Sequence, residues 1–436
     1  MRSLTTQTFV TNLLIALLAF VTSAILARWL GPSGRGQLAA IVLWPTLLTY
    51  LATFGLFDAI VYFAALPTAR LERLVGSVLV VLAVQSALVV PIGYVLMPTL
   101  LRNYAESDIQ LGRHFLLISP IALVTQYATS LLQGRLQIRT FNWVRLVIPV
   151  CYAGAAVAFR FTEMLSVGAM VHMLLALNVV VFVVVLLRTI QILGLIVPEV
   201  DLGFTRELLA YGSKTYVSSI AAQMNLQLDQ TLIVLWLSPT QLGLYTAAVS
   251  AANVTQMLPQ AVKIVLVPLV TGERTVALRV KSLTSSFRAY WTLSLAGAAL
   301  LAAVVPLGLP LVYGRDFTGS VATAEVLLIG SVLLGAKTVL NAGTQALGDP
   351  WIGSKAELLA LVVTVGALVL LVPSIGIVGA AIASVVAYGA ALVLVTVGLR
   401  RSYGLEVSAM LRPDPGAVKR LLSSTAGSTL RKRQKP

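Results

Sequence analysis

The sequence predicts an all-α polytopic membrane protein with about 12 transmembrane helices, and its composition and apolar runs support this fold class. Of the 436 residues, 58% are hydrophobic and 11% are charged, whereas a soluble domain carries about 25% charged residues. Apolar runs recur from the first residues to about position 399, and each is long enough, at ~20 residues, to cross ~30 Å of hydrocarbon. Too few polar side chains remain to cover a water-exposed surface.

Short connections rich in Arg, Pro, Gly and acidic residues separate the apolar segments. The first segment has no small-residue cleavage site after its apolar run, so we expect a retained span and not a signal peptide. The predicted spans are residues 7–29, 37–64, 75–98, 112–133, 142–159, 165–187, 207–236, 243–269, 287–312, 322–346, 356–372 and 376–399.

Lysine and arginine are distributed unequally between alternate loops, which indicates the orientation. One set of loops is rich in cations and includes the C-terminal segment, where residues 400–436 carry nine Lys or Arg. In the other set, the loops after the seventh and eleventh spans carry none. We therefore expect both termini in the cytoplasm. The tail is expected to be disordered and to lie near anionic lipid headgroups, so the net charge of +15 does not indicate nucleic acid as a partner.

An internal repeat becomes visible when the chain is compared with itself at an offset of 207 residues. The pattern Trp-Leu-x-Pro-x3-Gly-x3-Ala begins at Trp29 and again at Trp236. An even number of crossings separates the copies, so the two halves are predicted to share one orientation. Two parallel six-helix bundles are an architecture of secondary transporters. We expect bundles at residues 1–200 and 201–400, followed by the tail at 401–436.

Three motifs resemble bacterial polysaccharide-export flippases, the Wzx-like branch of the superfamily that also holds lipid II flippases and multidrug extrusion transporters. They are the stretch Leu-Ala-Arg-Trp-Leu-Gly-Pro-x3-Gly at 26–36, Asp229 followed by Gly-Leu-Tyr-x-Ala-Ala at 243–248, and Pro-x2-Gly-Ile-x-Gly-Ala-Ala-Ile-Ala at 373–383. The resemblance implies a V-shaped pair of bundles with a central cavity. It also implies transport of an undecaprenyl-pyrophosphate-linked oligosaccharide to the outer leaflet of the bacterial plasma membrane, with glycan polymerases or glycosyltransferases as partners. Lipid II flippases carry several arginines in the spans of their first half, whereas the predicted spans 1 to 3 of this sequence have none in their cores. This difference argues against lipid II as the cargo.

Charged side chains inside the predicted spans are the candidates for a functional site. A charge at the centre of a span costs about 2.5–3.5 kcal/mol on insertion scales, so it should face a wet cavity or a partner. Lysines share polar helix faces with amides in the second half, whereas the polar faces of the first half are uncharged. The predicted substrate-binding residues are Lys337, Lys263, Lys214, Asn341, Gln260 and Asn12.

Lys337 is the strongest of these candidates because it lies near the middle of its span. It shares a face with Asn341, and no acid follows within that span after Glu325. We therefore expect Lys337 to contact the cargo diphosphate directly. Asp229 and Asp58 are the candidates for carrying a coupling proton or sodium ion, or for neutralising a lysine.

Two other classes of function stay open. A multidrug or small-cation exporter of the same fold should line its cavity with acids and aromatic residues, and the lysines argue against it. A membrane glycan polymerase, ligase or glycosyltransferase should carry a reactive cluster on a large loop, and the longest predicted outer loop, at 99–111, holds only Arg102, Glu106 and Asp108. The single cysteine and the two histidines, His114 and His172, suggest neither a metal site nor a cofactor.

Overall fold

The computed structural model describes residues 2–414 and 416, and throughout this range the regular structure is helical, without a strand. This confirms the predicted fold class of an all-α polytopic membrane protein. Two short 3-10 helices occupy Asn253–Gln256 and Arg315–Ser320. The α-helices are α1 Arg2–Leu51, α2 Leu56–Ala65, α3 Leu71–Leu100, α4 Glu106–Leu116, α5 Ile118–Gly134, α6 Ile138–Phe161, α7 Val167–Leu193, α8 Leu202–Trp236, α9 Pro239–Ala252, α10 Met257–Thr271, α11 Val276–Tyr313, α12 Val321–Leu347, α13 Pro350–Tyr403 and α14 Val407–Leu411.

Two of the recognised motifs form the bends that divide the longest helices. The backbone of α1 leaves the helical region at Gly31, where φ is 71°, and that of α13 does so at Gly376, where φ is 58°. Glycine reaches positive φ without the steric penalty that a side chain brings. Each motif therefore ends one membrane crossing and begins the next.

Nine helical segments of the described residues are long and apolar enough to cross a membrane. Two of them, Val10–Leu51 and Pro350–Tyr403, have 42 and 54 residues and contain the bends at Gly31 and Gly376, so each suffices for two crossings at 1.5 Å per residue. Helix α8, with 35 residues, is long enough but too polar to be one of the nine. These segments agree with the predicted number of spans.

Two predicted elements differ in the structure. Residues 106–111 belong to helix α4, although the sequence placed them in an outer loop, because Glu106 and Asp108 in the first turn suit the positive end of a helix dipole. A 3-10 turn at Asn253–Gln256 separates α9 from α10. The sequence spacing of Asn253, Gln256, Gln260 and Lys263 (i, i+3, i+7, i+10) predicts one face of a single helix, but these residues are divided between this turn and α10.

The described residues form two compact units. The first contains the chain up to Gln223 together with Gln230–Thr246, and the second contains Met224–Asp229 together with the chain from Ala247 onward. Helix α8 thus contributes to both units. The division into bundles at residues 200 and 201 stays a prediction, and of the predicted tail at 401–436, residues 415 and 417–436 lie outside the described part.

Helices α12 and α13 form an antiparallel hairpin in the second unit. The turn between them contains Gly348 in the left-handed conformation, with φ 89°, and Pro350 at the start of α13. Glycine after a helix and proline at the first helical position are the residues that such a turn favours. Residues equally far from this turn therefore face each other across the hairpin.

Candidate functional site

A buried ion pair joins the two helices of this hairpin. Lys337 Nζ lies 2.8 Å from Glu357 Oε2, and the two side chains are 5% and 11% exposed. Lys337 precedes the end of α12 at Leu347 by ten residues, or ~15 Å along the helix axis. Taking two charges out of water is costly unless they pair closely and gain hydrogen bonds, and the surrounding residues supply these bonds.

Two asparagines donate hydrogen bonds to the Glu357 carboxylate. Asn341 Nδ2 lies 3.0 Å from Oε1, and Asn225 Nδ2 lies 3.1 Å from Oε2. Asn225 Nδ2 also lies 3.0 Å from the backbone carbonyl oxygen of Glu357. Asn341 follows Lys337 by one helical turn, so α12 presents an ammonium and an amide to the same carboxylate. Hydrogen bonds to a charged acceptor are stronger than neutral ones, and together they hold Glu357 in place.

Tyr388 and Asp229 extend this cluster within the second unit. The hydroxyl of Tyr388 donates to the backbone carbonyl of Asn225 at 3.3 Å, and its ring centroid lies 5.5 Å from Lys337 Nζ, within the range of a cation–π contact. Asp229 follows Asn225 by one turn of α8 and is 6% exposed. The lysine of this cluster is thus paired with one carboxylate, that of Glu357, and Asp229 is a second buried carboxylate nearby on α8.

Two buried amide oxygens in this cluster accept no hydrogen bond from the described residues. They are Asn225 Oδ1 and Asn341 Oδ1. An unpaired buried acceptor costs about 1–3 kcal/mol. Water, a cation or a polar group of a bound molecule would satisfy these oxygens.

The structure brings together some of the predicted site residues and not others. Lys337 and Asn341 share Glu357 as their partner, and Asp229 lies one helical turn from a third member of the cluster. The remaining predicted residues have exposed side chains, and in the described part of the chain no hydrogen bond or ion pair joins them to Glu357; they are Lys263 and Gln260 on α10, Lys214 on α8, Asn12 on α1 and Asp58 on α2.

Glu357 was missed by sequence reasoning, which considered only acids on the same span as Lys337, whereas Glu357 belongs to the next helix. Lys337 and Glu357 flank position 347, the mean of 337 and 357, which lies at the turn between α12 and α13. The antiparallel geometry of a short-linked helix pair could therefore have identified the partner.

Several buried polar contacts of the first unit join uncharged groups. Tyr127 donates its hydroxyl hydrogen to Gln85 Oε1 at 2.8 Å, and Gln85 Nε2 donates to the carbonyl of Ala52 at 2.7 Å. Thr49 donates to the Ser119 hydroxyl at 2.7 Å. These bonds satisfy polar groups inside the bundle without any charge.

The two histidines of the chain lie side by side, which the sequence did not indicate. The ring centroids of His114 and His172 are 6.5 Å apart, and both side chains are exposed. Within the described residues, no group of three or more His, Cys, Asp or Glu side chains could hold a metal ion.

The fold is similar to that of solved membrane transporters. The lipid II flippase MurJ in an inward closed conformation superposes with a TM-score of 0.74 at 12% identity, covering 95% of this chain and 91% of that one. An inward-facing multidrug resistance MATE family transporter of the MOP superfamily gives a TM-score of 0.70 at 13% identity, covering 89% and 94%. An outward-facing multidrug resistance MATE family transporter of the same superfamily gives 0.60 at 14% identity, covering 92% and 94%. The chain thus has the fold of MOP-superfamily transporters.

A family model identifies the family to which the chain belongs. The model described as polysaccharide biosynthesis protein matches residues 5–271, and the chain belongs to this family. No curated protein matches the chain. The family and the superfamily fold confirm the relationship that the motifs at 26–36, 243–248 and 373–383 indicated.

Proposed function

We propose that this protein is a flippase that moves a lipid-linked oligosaccharide from the cytoplasmic to the outer leaflet for the synthesis of a cell-surface polysaccharide. Membership of the polysaccharide biosynthesis protein family and the fold shared with a lipid II flippase support this proposal. The cargo would be a glycan on undecaprenyl pyrophosphate, carried by alternating access in the bacterial plasma membrane. Its suppliers and consumers would be glycosyltransferases and a glycan polymerase.

The observation that carries the proposal is the ion pair of Lys337 and Glu357. A single carboxylate holds the ammonium at 2.8 Å, and a diphosphate that carries more negative charge would compete with it. At 4 Å and an effective dielectric constant near 20, one charge pair interacts by about 4 kcal/mol before desolvation. We propose that the cargo diphosphate replaces Glu357 as the partner of Lys337 during transport, and that Asn341 then donates to the same anion.

The exposed predicted residues would serve the rest of the cargo. Lys263 and Lys214 are cations on exposed helix faces, so they can attract a diphosphate before it reaches Lys337. Gln260 and Asn12 would donate and accept hydrogen bonds with sugar hydroxyls, which stay hydrated. Anionic lipid headgroups would attract the basic tail and hold the C-terminus at the membrane.

Coupling to an ion gradient would act through the buried carboxylates Glu357 and Asp229. Glu357 loses its ammonium partner when Lys337 binds cargo, so a proton or sodium ion would neutralise it, and Asp229, a second buried acid on α8, is the candidate for carrying that ion to the site. Asp58 is exposed and would act at an earlier step. Replacing Asp229 with Asn should abolish the dependence of transport on the ion gradient while cargo binding stays measurable. An unchanged gradient dependence in Asp229→Asn vesicles would reduce Asp229 to a structural partner.

Export of small cations is the second candidate function. The same two buried acids favour it, because a cationic drug needs a carboxylate, and MATE transporters share the fold. The cluster differs from such a site because its carboxylate, Glu357, already has a cation, Lys337, as its partner. Measurements of surface glycan and of drug resistance in the same strain therefore distinguish the flippase from the exporter.

The test is complementation of a flippase-null strain. The wild-type chain should restore surface glycan and leave drug susceptibility unchanged, with the level of protein in the membrane as the control. Lys337→Arg should keep part of the glycan, because it retains the charge. Restored drug resistance without glycan would favour the exporter and overturn the flippase.

The direction of transport depends on the predicted topology. In a Cys151→Ala background, a membrane-impermeant maleimide added outside should label cysteines placed at 105 and 240 but not at 138 or 276. The reverse pattern at either pair would overturn the cytoplasmic placement of both termini.

A further inference from the structure

The two copies of the sequence repeat meet in the first unit. The Cα of Gly36 packs against the backbone of Pro239, and a Cβ there would overlap the carbonyl oxygen of Pro239 and lie 2.9 Å from the backbone N of Gly243. A Cβ on Gly243 would overlap the carbonyl oxygen of Pro32 and lie 3.1 Å from the backbone N of Gly36. Only glycine fits at either position in this conformation.

The contact is reciprocal. Gly36 and Pro239 touch in the same way as Gly243 and Pro32, and each residue of one copy corresponds to its equivalent at an offset of 207 in the other. Such exchange of equivalent contacts is the mark of a two-fold, self-complementary interface. The repeat therefore encodes both sides of one contact, which explains why proline and glycine recur in both copies at a fixed spacing of four residues.

A second glycine contact joins the turn after α1 to the first half of α8. Gly55, with φ +72°, packs against the backbone of Gly212 on α8, and a Cβ on Gly212 would lie 2.7 Å from the carbonyl oxygen of Phe54. Nearby, the rings of Tyr62 and Tyr211 stack with centroids 4.4 Å apart. This contact is not reciprocal in sequence, since the repeat does not include it.

The two contacts lie at opposite ends of the second part of α1. Gly36 precedes the end of α1 at Leu51 by 15 residues, or ~22 Å along a helix, and Gly55 follows after a turn, whereas the hydrocarbon core is ~30 Å thick. In the predicted topology the pair of Gly36 and Gly243 lies at the outer end. Both glycine contacts are closed in the described conformation.

We propose that the reciprocal contact of Gly36 and Gly243 is a latch that holds the outer end of this unit closed and that opens in each transport cycle. We refer to it as the outer latch. This inference rests on the proposed transport function but not on the identity of the cargo. A side chain at either glycine excludes the closed contact, so the altered protein stays open at its outer end and cannot complete the cycle.

The test uses a buried reporter beside the latch. Ala40, one turn after Gly36, is fully buried, so a cysteine at this position in a Cys151→Ala background should react slowly with an impermeant maleimide added outside. Gly36→Ala and Gly243→Ala should each raise the labelling rate at least about tenfold, equivalent to ~1.4 kcal/mol. The double variant should add little to either, because both changes open one contact.

Two glycines provide matched controls. Gly154 is in α6 of the same unit, with open space where a Cβ would be, so Gly154→Ala should leave labelling unchanged. Gly212→Ala disturbs the contact at the other end and should not raise outer labelling; a rise there equal to that of Gly36→Ala would indicate general loosening and overturn the latch.

The remaining outcomes also decide the proposal. Unchanged labelling in Gly36→Ala protein at normal membrane level overturns it. If neither Gly36→Ala nor Gly243→Ala accumulates in the membrane, the contact is a requirement of folding and not a latch, which also overturns it. A third outcome is that Gly36→Ala raises labelling, but the protein that retains Gly36 and Gly243 restores no surface glycan. In that case the latch is supported and only the proposed cargo is wrong.

Discussion

The two units of the chain satisfy their buried polar groups by different means. In the first unit, Gln85 is 3% exposed and bonds to Tyr127 and to a backbone carbonyl without any charge. In the second unit, Lys337 and Glu357 form an ion pair with amide donors around it. A neutral hydrogen bond contributes about 1 kcal/mol net, whereas breaking a buried ion pair costs about 3–5 kcal/mol.

This difference shows that a repeated sequence pattern does not imply repeated chemistry. The two copies of the repeat share the Pro and Gly residues that form the backbone contact between them. Among the buried clusters of the described residues, the ion pair occurs in the second unit, whereas the buried carboxylate of the first unit, Asp108, is bonded to the neutral amide of Gln37. Charges inside a membrane are functional candidates because they are costly. The comparison predicts graded effects of substitution.

The largest effect on stability is expected for Glu357→Ala. The substitution leaves Lys337 buried without a carboxylate, which should lower the free energy of unfolding by about 3–5 kcal/mol. The measurement is thermal unfolding of the purified protein in detergent. Glu325→Ala, which removes an exposed acid from the same helix as Lys337, should leave the midpoint nearly unchanged. Equal shifts in the two variants would show that loss of the buried ion pair is not the cause of the destabilisation.

A smaller effect is expected for Gln85→Leu in the first unit. It leaves the Tyr127 hydroxyl and the carbonyl of Ala52 without their partner, at a cost of about 1–3 kcal/mol. The same unfolding assay applies, with Gln126→Leu on the exposed face of α5 as its control. A destabilisation as large as that of Glu357→Ala would contradict the contrast between neutral and charged contacts.

The smallest effect is expected at the surface of the first unit. Arg73 lies 3.4 Å from Glu199 and 3.5 Å from Asp201, and the Arg73 and Glu199 side chains are 37% and 56% exposed. Exposed ion pairs contribute about 0–1 kcal/mol, so Glu199→Gln should shift the unfolding midpoint by less than Gln85→Leu. The midpoint would be measured at two salt concentrations. A shift larger than that of Gln85→Leu would show that the contribution of this ion pair to stability is not limited by its exposure to solvent.

Sequence reasoning predicted the parts of the fold that depend on local patterns. Apolar runs identified the spans, and the Gly-Pro motif at 31–32 and the Pro-x2-Gly motif at 373–376 mark the places where α1 and α13 bend. The 3-10 turn before α10 was missed, because Asn253 and Gln256 fit a helical spacing as well as a tight turn.

The candidate site was only partly predictable because its partners come from different helices. Periodicity along α12 groups Lys337 with Asn341, and the structure agrees. It cannot show that Glu357 on α13 and Asn225 on α8 complete the cluster, since these contacts depend on how helices pack. The exposed positions of Lys214, Lys263 and Asp58 likewise depend on packing.

The central claim is that the ion pair of Lys337 and Glu357 serves transport and not folding. The most direct test is the double variant Lys337→Met with Glu357→Gln, which removes both charges, keeps similar side-chain lengths and leaves an oxygen to accept from Asn341. Replacing both members of a buried pair is often neutral for stability, so the protein should reach the membrane at the wild-type level. In a flippase-null strain we expect no surface glycan from this variant. Normal surface glycan from a protein without either charge would contradict the account.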